Sequence, residues 1–238
     1  TATVVETAHA IGGPNNPPNA TLSSPVAVGD LVFVQGYASV AVLPGRINMV
    51  VTDDLGNTWT RFYTTNPNGI STGTVSAWYS IITVPGTSTL TFNWSSPLNW
   101  GYYLVHFGGA VYAFDGSTGS PGASSTVAAL TSSTLNTLVI GGTTSINSAG
   151  NTAGTPSWSS TAPVVAPGVN FNLLQQSVTN NGGVAIQWLQ VGKYIGPMNF
   201  TASSSVFNPV TTLALFKITS SGGGGGAGDL PRFYQAIH

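Results

Sequence analysis

The chain contains no cysteine and very little charge. Among its 238 residues are five Lys or Arg and six Asp or Glu, so 5% are charged and the net charge is −1. Without cysteine there can be no disulfide, no thiolate nucleophile and no Cys-ligated zinc. Five scattered basic residues do not form the positive patch that binds nucleic acid. We therefore expect no nucleic-acid partner. Because the chain has only six carboxylates, we also expect its folding stability to change little as the pH falls.

Long apolar runs and helical patterns are also lacking. No stretch is long enough to predict a membrane span. Gly, Pro, Thr, Ser and Val dominate, and these residues disfavour helices while Thr and Val favour strands. The sequence therefore predicts an all-β protein with no membrane-spanning segment.

Residues suited to catalysis are scarce. Neither His9, His106 nor His238 is accompanied by a G-x-S-x-G nucleophile motif. The segment DDLGN at residues 53–57 could offer oxygens to calcium but lacks the EF-hand spacing, and a hairpin turn is the favoured interpretation. Asp115 is interpreted as a turn former. We expect no enzyme activity, no metal and no cofactor.

Residues 74–107, TVSAWYSIITVPGTSTLTFNWSSPLNWGYYLVHF, carry the clearest structural pattern. Apolar residues alternate with polar ones, and turn residues separate three such runs. A similar succession returns at residues 183–216. Trp78, Phe92 and Phe107 then have counterparts in Trp188, Phe200 and Phe216. The pattern predicts an antiparallel β-sandwich, Ig-like or jelly-roll-like, of two pseudo-repeated halves with an extended N-terminal strand.

The remaining segments suggest three regions. Residues 1–19 combine a strand candidate with the breaker-rich linker GGPNNPPN, in which no central strand can continue. Residues 20–219 form the body, with pseudo-repeats at about 20–115 and 124–219. Residues 220–238 comprise a Gly-rich linker and a tail that we expect to dock through Phe233, Tyr234 and Ile237.

Several motifs carry a resemblance to a known type of protein. They are SSPV-x-x-GDLV, VTDDLGNTWTR, AWYSIITVPGTSTLTF, NTLVIGG and TTLALFKI, spread over residues 21–218. Together with few charges and no cysteine, they make the chain similar to subunits of archaeal extracellular filaments such as threads. The resemblance implies a homopolymer at the cell surface, in which a terminal strand of one subunit completes the sheet of the next.

The resemblance also implies which residues act. The N-terminal strand is the favoured donor, with Ala2, Val4, Ala8 and Ala10 on one face, Val5 beside them, and Glu6 as an interruption. N-linked glycans are implied at the acceptor triplets that begin at Asn19, Asn93 and Asn199. A donated strand satisfies an open sheet edge.

Two other hypotheses stay open. A monomeric carbohydrate-binding or adhesin module would stack sugars on Trp94 and Trp100, which we expect to be exposed. A virion capsid or decoration protein also combines low charge with all-β structure. The position of residues 1–11 separates these hypotheses. A strand that leaves its own body indicates a donor, whereas pairing within it indicates a self-contained module and favours the two alternatives.

Overall fold

The computed structural model describes residues 1–12, 19–39, 49–65, 73–94, 99–120, 126–146, 158–161, 172–179, 182–191, 195–202 and 209–219. These residues form sixteen β-strands and no helix, so the prediction of an all-β antiparallel protein is confirmed. The part of the chain so described contains no helix that could cross a membrane.

The strands fall into two successive groups of eight. The first group is β1 (Thr3–Gly12), β2 (Ala20–Thr21), β3 (Leu31–Ser39), β4 (Val50–Asp53), β5 (Thr60–Thr65), β6 (Gly73–Ile81), β7 (Thr89–Asn93) and β8 (Asn99–Gly108). The second group is β9 (Val111–Gly119), β10 (Thr126–Thr131), β11 (Thr137–Ile146), β12 (Trp158–Thr161), β13 (Asn172–Thr179), β14 (Gly182–Val191), β15 (Ile195–Ala202) and β16 (Pro209–Thr219).

Each group builds one five-stranded and one three-stranded sheet. The first group gives the orders β1-β8-β3-β6-β5 and β2-β7-β4, and the second gives β9-β16-β11-β14-β13 and β10-β15-β12. If eight is added to every strand number in the first pair of sheets, the strand orders of the second pair result, so the two pairs have the same strand order. Within the first group, the strands β1-β8-β3-β6 and the sheet β2-β7-β4 have the strand order of a jelly roll. The chain order thus makes β9 the topological counterpart of β1.

The first five-stranded sheet is covered on both faces. Strand β3 shows why, because its alternate residues enter two separate cores. Leu31, Phe33 and Tyr37 pack into the central core, which joins residues of the two five-stranded sheets. Val32, Val34 and Ala38 pack into the flanking core, formed with the sheet β2-β7-β4. Strands with two buried faces are apolar throughout, which explains the continuous run LVFV at the start of β3.

Three strands predicted within residues 74–107 are present as β6, β7 and β8. The hairpin predicted around DDLGN is wrong, since β4 pairs with β7 and β5 pairs with β6 in a different sheet. The connection between them crosses from one sheet to the other. Asn57 supports that crossing: its side-chain oxygen accepts hydrogen bonds from the backbone N–H groups of Thr83 and Val84 at 2.9 and 2.8 Å. Strand β9 runs from Val111 to Gly119 and therefore continues through Asp115.

Candidate functional site: the N-terminal strand and its carboxylate clamp

Strand β1 lies at the edge of its own five-stranded sheet. It pairs antiparallel with β8 over nine residue pairs, from Thr3 opposite Gly108 to Gly12 opposite Trp100. The N-terminal strand therefore completes the sheet of its own chain in this structure and does not run away from the body. Pairing of the N-terminal strand within its own body is the arrangement expected of a self-contained subunit.

A β-bulge at Val5 divides β1 into two parts that face different cores. The register shifts between Val4 and Glu6, and Val5 is 43% exposed. Ala2 and Val4 pack into the central core, whereas Ala8 and Ala10 pack against the flanking core. The prediction that these four residues share one face is therefore wrong, because the extra residue of a bulge reverses the alternation.

Small side chains and close contacts hold the two ends of β1. At the start, the backbone N–H of Ala2 donates to Oε1 of Gln190 on β14 at 2.8 Å. At the end, Gly12 lies against the ring of Trp100, where an added Cβ would stand 2.2 Å from Cζ2. The indole thus occupies the space that any larger residue would need. Both ends of the strand are fitted to their own body.

The middle of β1 is held by a carboxylate clamp, by which we mean the contact of Glu6 with the turn after β2. Oε1 accepts the backbone N–H of Ser23 at 2.9 Å, and Oε2 accepts that of Ser24 at 3.0 Å. Burial raises the pKa of Glu6, but the bonds from Ser23 and Ser24 and the field of His106 outweigh it, so the net pKa lies below its ordinary value. The clamp therefore favours the ionised carboxylate.

A buried histidine and aspartate lie beside the clamp. His106 stands opposite Glu6 in the β1–β8 ladder and is fully buried. Its Nε2 is 2.8 Å from Oδ2 of Asp30, which also accepts the backbone N–H of Ala27 at 2.8 Å. The pair ties β8 to the turn before β3. The described residues hold no group of three or more His, Asp or Glu side chains placed to bind a metal ion.

The second half of the chain contains an equivalent clamp. Asp115 on β9 accepts the backbone N–H of Ser133 at 2.7 Å and the hydroxyl of the same residue. Ser133 follows β10 as Ser23 and Ser24 follow β2. A register shift also lies beside Asp115, as one lies beside Glu6. The interpretation of Asp115 as a turn former is wrong: it lies inside a strand and secures that strand to the next turn.

The pKa of Asp115 is also lowered. Burial raises it, but the hydrogen bonds from Ser133 and the ammonium of Lys217, 3.5 Å from Oδ1, reverse the direction. The recurrence of Ser-Ser after the second strand of each half is the sequence signal that could have revealed both clamps.

Other predicted site residues occupy varied positions. Trp94 and Trp100 are only 3% and 5% exposed, so the prediction of an exposed sugar-stacking pair is wrong. The flanking core encloses both rings. Asn19 and Asn93 are exposed, and Asn199 lies in β15. Phe233, Tyr234 and Ile237 lie outside the described residues.

Comparison of the chain with protein-family models, with curated proteins and with solved structures found no match.

Proposed function

We propose that the chain is a non-enzymatic structural subunit of an extracellular filament, in which copies exchange their β1 strands head to tail. In the closed subunit β1 completes its own sheet. In the filament, β1 of one copy would occupy the same edge of β8 in the next, in the same antiparallel register. Pairing of β1 within its own chain is the arrangement that favours the self-contained alternatives, so the proposal is one of exchange from a closed subunit. The observation that carries it is the position of β1 at the edge of its sheet, with a complete ladder to β8.

As the edge strand of its sheet, β1 can leave without breaking a ladder between two other described strands. Its departure would open the edge of β8 and uncover the parts of both cores that Ala2, Val4, Ala8 and Ala10 contact. An open edge with an apolar groove promotes pairing with another chain. A second copy carries the one strand whose side chains already fit that groove.

Exchange has a small net cost because the bonds broken in one subunit are formed again between two. Domain swapping follows this rule, and a head-to-tail swap that does not close produces a filament. What opposes exchange is the high effective concentration of a strand tethered to its own groove. The linker GGPNNPPN contains three prolines, and Pro-rich linkers are extended and stiff, which reduces that advantage.

The surface composition fits an assembly of identical neutral subunits. With a net charge of −1, copies repel one another little as they associate. Asn19 and Asn93 are exposed at the start of β2 and the end of β7, and we propose that they carry N-linked glycans at the cell surface. Glycans on this small sheet would leave the β1 edge accessible.

The test is to place charge where β1 meets the two cores. Val4→Asp combined with Ala8→Asp should prevent assembly, since one carboxylate would face each core, while the body stays folded. Negative-stain electron microscopy and light scattering of concentrated protein measure the outcome. Thr52→Asp combined with Val28→Asp adds the same charge at exposed positions outside β1 and should still assemble. Wild-type protein that stays monomeric at every concentration, or filaments formed by the β1 variant, would refute the proposal.

A virion capsid or decoration protein is the second candidate, and the strand order favours it. Capsid subunits are commonly built from jelly rolls, and each half of this chain has that winding over seven of its strands. Electron microscopy separates the candidates, because closed particles that contain nucleic acid support a capsid role and open filaments support strand exchange.

A further inference from the structure

The Glu6 clamp is a contact of β1 whose strength depends on the protonation of one side chain. The backbone ladder with β8, the contacts with the two cores and the clamp must all break before β1 leaves, and all are formed again after exchange. The turn at Ser23 and Ser24 is held through two backbone donors, each bound to a different oxygen of one carboxylate. An ionised acceptor strengthens bonds of this kind, and protonation weakens them.

A carboxylate clamp of the same kind is present in both halves of the chain. Asp115 secures β9 to Ser133 as Glu6 secures β1 to Ser23 and Ser24. Strand β9 is continuous with β8 on one side and with β10 on the other, so it cannot leave the fold when its clamp opens. Strand β9 follows β8 after only two residues, whereas β1 is joined to β2 by the linker GGPNNPPN. The same contact therefore has a different consequence in the two halves.

We propose that protonation of Glu6 releases β1 from its own sheet, so that acid triggers the exchange of this strand between copies. The inference rests on the proposed function, because it gives the regulation of the same strand. Neutral Glu6 can accept at one oxygen but offers a poorer acceptor at the other, and the two-point contact with the turn is lost. Because the exchanged strand forms the same clamp with the next copy, protonation favours the released strand and so speeds exchange in acid.

The sign of the pH dependence follows from the direction of the pKa shift. Glu6 has an ordinary value of 4.5 and a lower pKa when the clamp is closed. A carboxyl group with a depressed pKa in the closed form stabilises that form above its ordinary value. This stabilisation is lost as the pH falls through the depressed pKa. Release of β1 is thus expected below about pH 4.5.

The other titratable groups around the clamp are few. From β8, His106 stands opposite Glu6, and Asp30 bonds to His106 from the turn before β3. Burial and the carboxylate of Asp30 raise the pKa of Tyr112 on β9, so this phenol stays neutral in acid. The turn that holds Glu6, residues 22–25, has the sequence LSSP and carries no titratable side chain. Replacing Glu6 alone therefore separates its effect from that of the His106–Asp30 pair.

The experiment measures release of β1 in the full chain by amide hydrogen exchange, corrected for the intrinsic rate at each pH. Amides of β1 report strand release, and amides of the central strand β3 report global unfolding. In the wild type, protection of β1 should fall roughly tenfold between pH 6 and pH 3.5 while β3 stays protected. In Glu6→Gln, β1 should already have the lower protection at pH 6 and change little with pH.

Asp115→Asn is the matched control, because it weakens the equivalent clamp on a strand that cannot leave. Its β1 protection should equal that of the wild type at both pH values. The proposal is overturned if wild-type β1 protection is the same at pH 6 and pH 3.5, if Glu6→Gln retains the full pH dependence, or if Asp115→Asn loosens β1 equally. Light scattering on the same samples tests filament formation separately. Acid release of β1 without assembly would support the clamp and refute the filament.

Discussion

Gln35 on β3 and Thr212 on β16 bond to each other between the two five-stranded sheets. The hydroxyl of Thr212 donates to Oε1 of Gln35 at 2.6 Å, and Nε2 of the same amide donates to the hydroxyl of Thr144 on β11 at 2.8 Å. All three residues are fully buried. One amide thus bonds to hydroxyl groups on two strands of the opposite sheet and joins the two halves within the core.

Replacing Gln35 by Ala should destabilise the protein strongly. The change leaves a cavity and removes the partner of the Thr144 and Thr212 hydroxyls, so we expect the free energy of unfolding to fall by about 2–4 kcal/mol. Urea unfolding followed by tryptophan fluorescence measures this change. Thr52→Ala at an exposed position is the control and should stay within about 0.5 kcal/mol of the wild type. A Gln35→Ala protein as stable as the control would contradict this role.

Gly12→Ala should loosen the end of β1 without unfolding the body. An added methyl group would overlap the ring of Trp100, so either the indole or the strand must move. We expect amide protection to fall over Ala10 to Gly12 and to stay unchanged in β3. Ile11→Thr, at a residue that is 45% exposed, serves as the neighbouring control. Equal protection in the two variants would show that Trp100 does not hold the strand.

Trp100→Ala should act on stability and leave glycan binding unaffected. The side chain is enclosed in the flanking core, stacked near Tyr102 with ring centroids 6.3 Å apart. Its removal should cost about 3–5 kcal/mol. Chemical unfolding together with a glycan array measures both properties. Glycan binding by the wild type that is lost in a stably folded variant would revive the carbohydrate-binding hypothesis.

Asp115→Asn should lower stability at neutral pH and reduce its loss in acid. The native pKa of Asp115 lies below its ordinary value of 3.8, so its contribution is present above that value and is lost as the pH falls through the native pKa. We expect a loss of about 1 kcal/mol at pH 7. Unfolding curves at pH 7 and pH 3 should show the difference between variant and wild type shrinking at pH 3. A constant difference would exclude the clamp as its source.

Much of the fold could be predicted from period-two patterns, for a definite physical reason. On β7, Leu90 and Phe92 face the flanking core while Thr89, Thr91 and Asn93 face outward, so alternation in the sequence mirrors alternation in burial. The positions of Trp94 and Trp100 could not be predicted in this way. Whether a tryptophan beside a turn is enclosed depends on the neighbouring sheet, whose position the local pattern does not contain.

The candidate site was predicted in part. The sequence pattern predicts a strand at residues 1–11, but the bulge at Val5 arises from pairing with β8 and has no local signature. The pattern gives Glu6 only as an interruption, because its partners are backbone N–H groups of Ser23 and Ser24, which any residue but proline supplies. Protonation of carboxylates should also affect folding stability more than their small number, six in the sequence, suggests. Every carboxylate in the described residues accepts a hydrogen bond, namely Glu6, Asp30, Asp53, Asp54 and Asp115.

The absence of cysteine permits a direct test of strand exchange. Thr7 on β1 and Val105 on β8 are opposite each other in the ladder, and directly opposed residues have a spacing compatible with a disulfide. Thr7→Cys combined with Val105→Cys introduces the only two thiols. Oxidation of the assembled protein, followed by non-reducing denaturing electrophoresis, shows whether they belong to one chain or two. Strand exchange predicts a ladder of covalent multimers that the single variant Thr7→Cys does not give. A product that is solely a cross-linked monomer would contradict it.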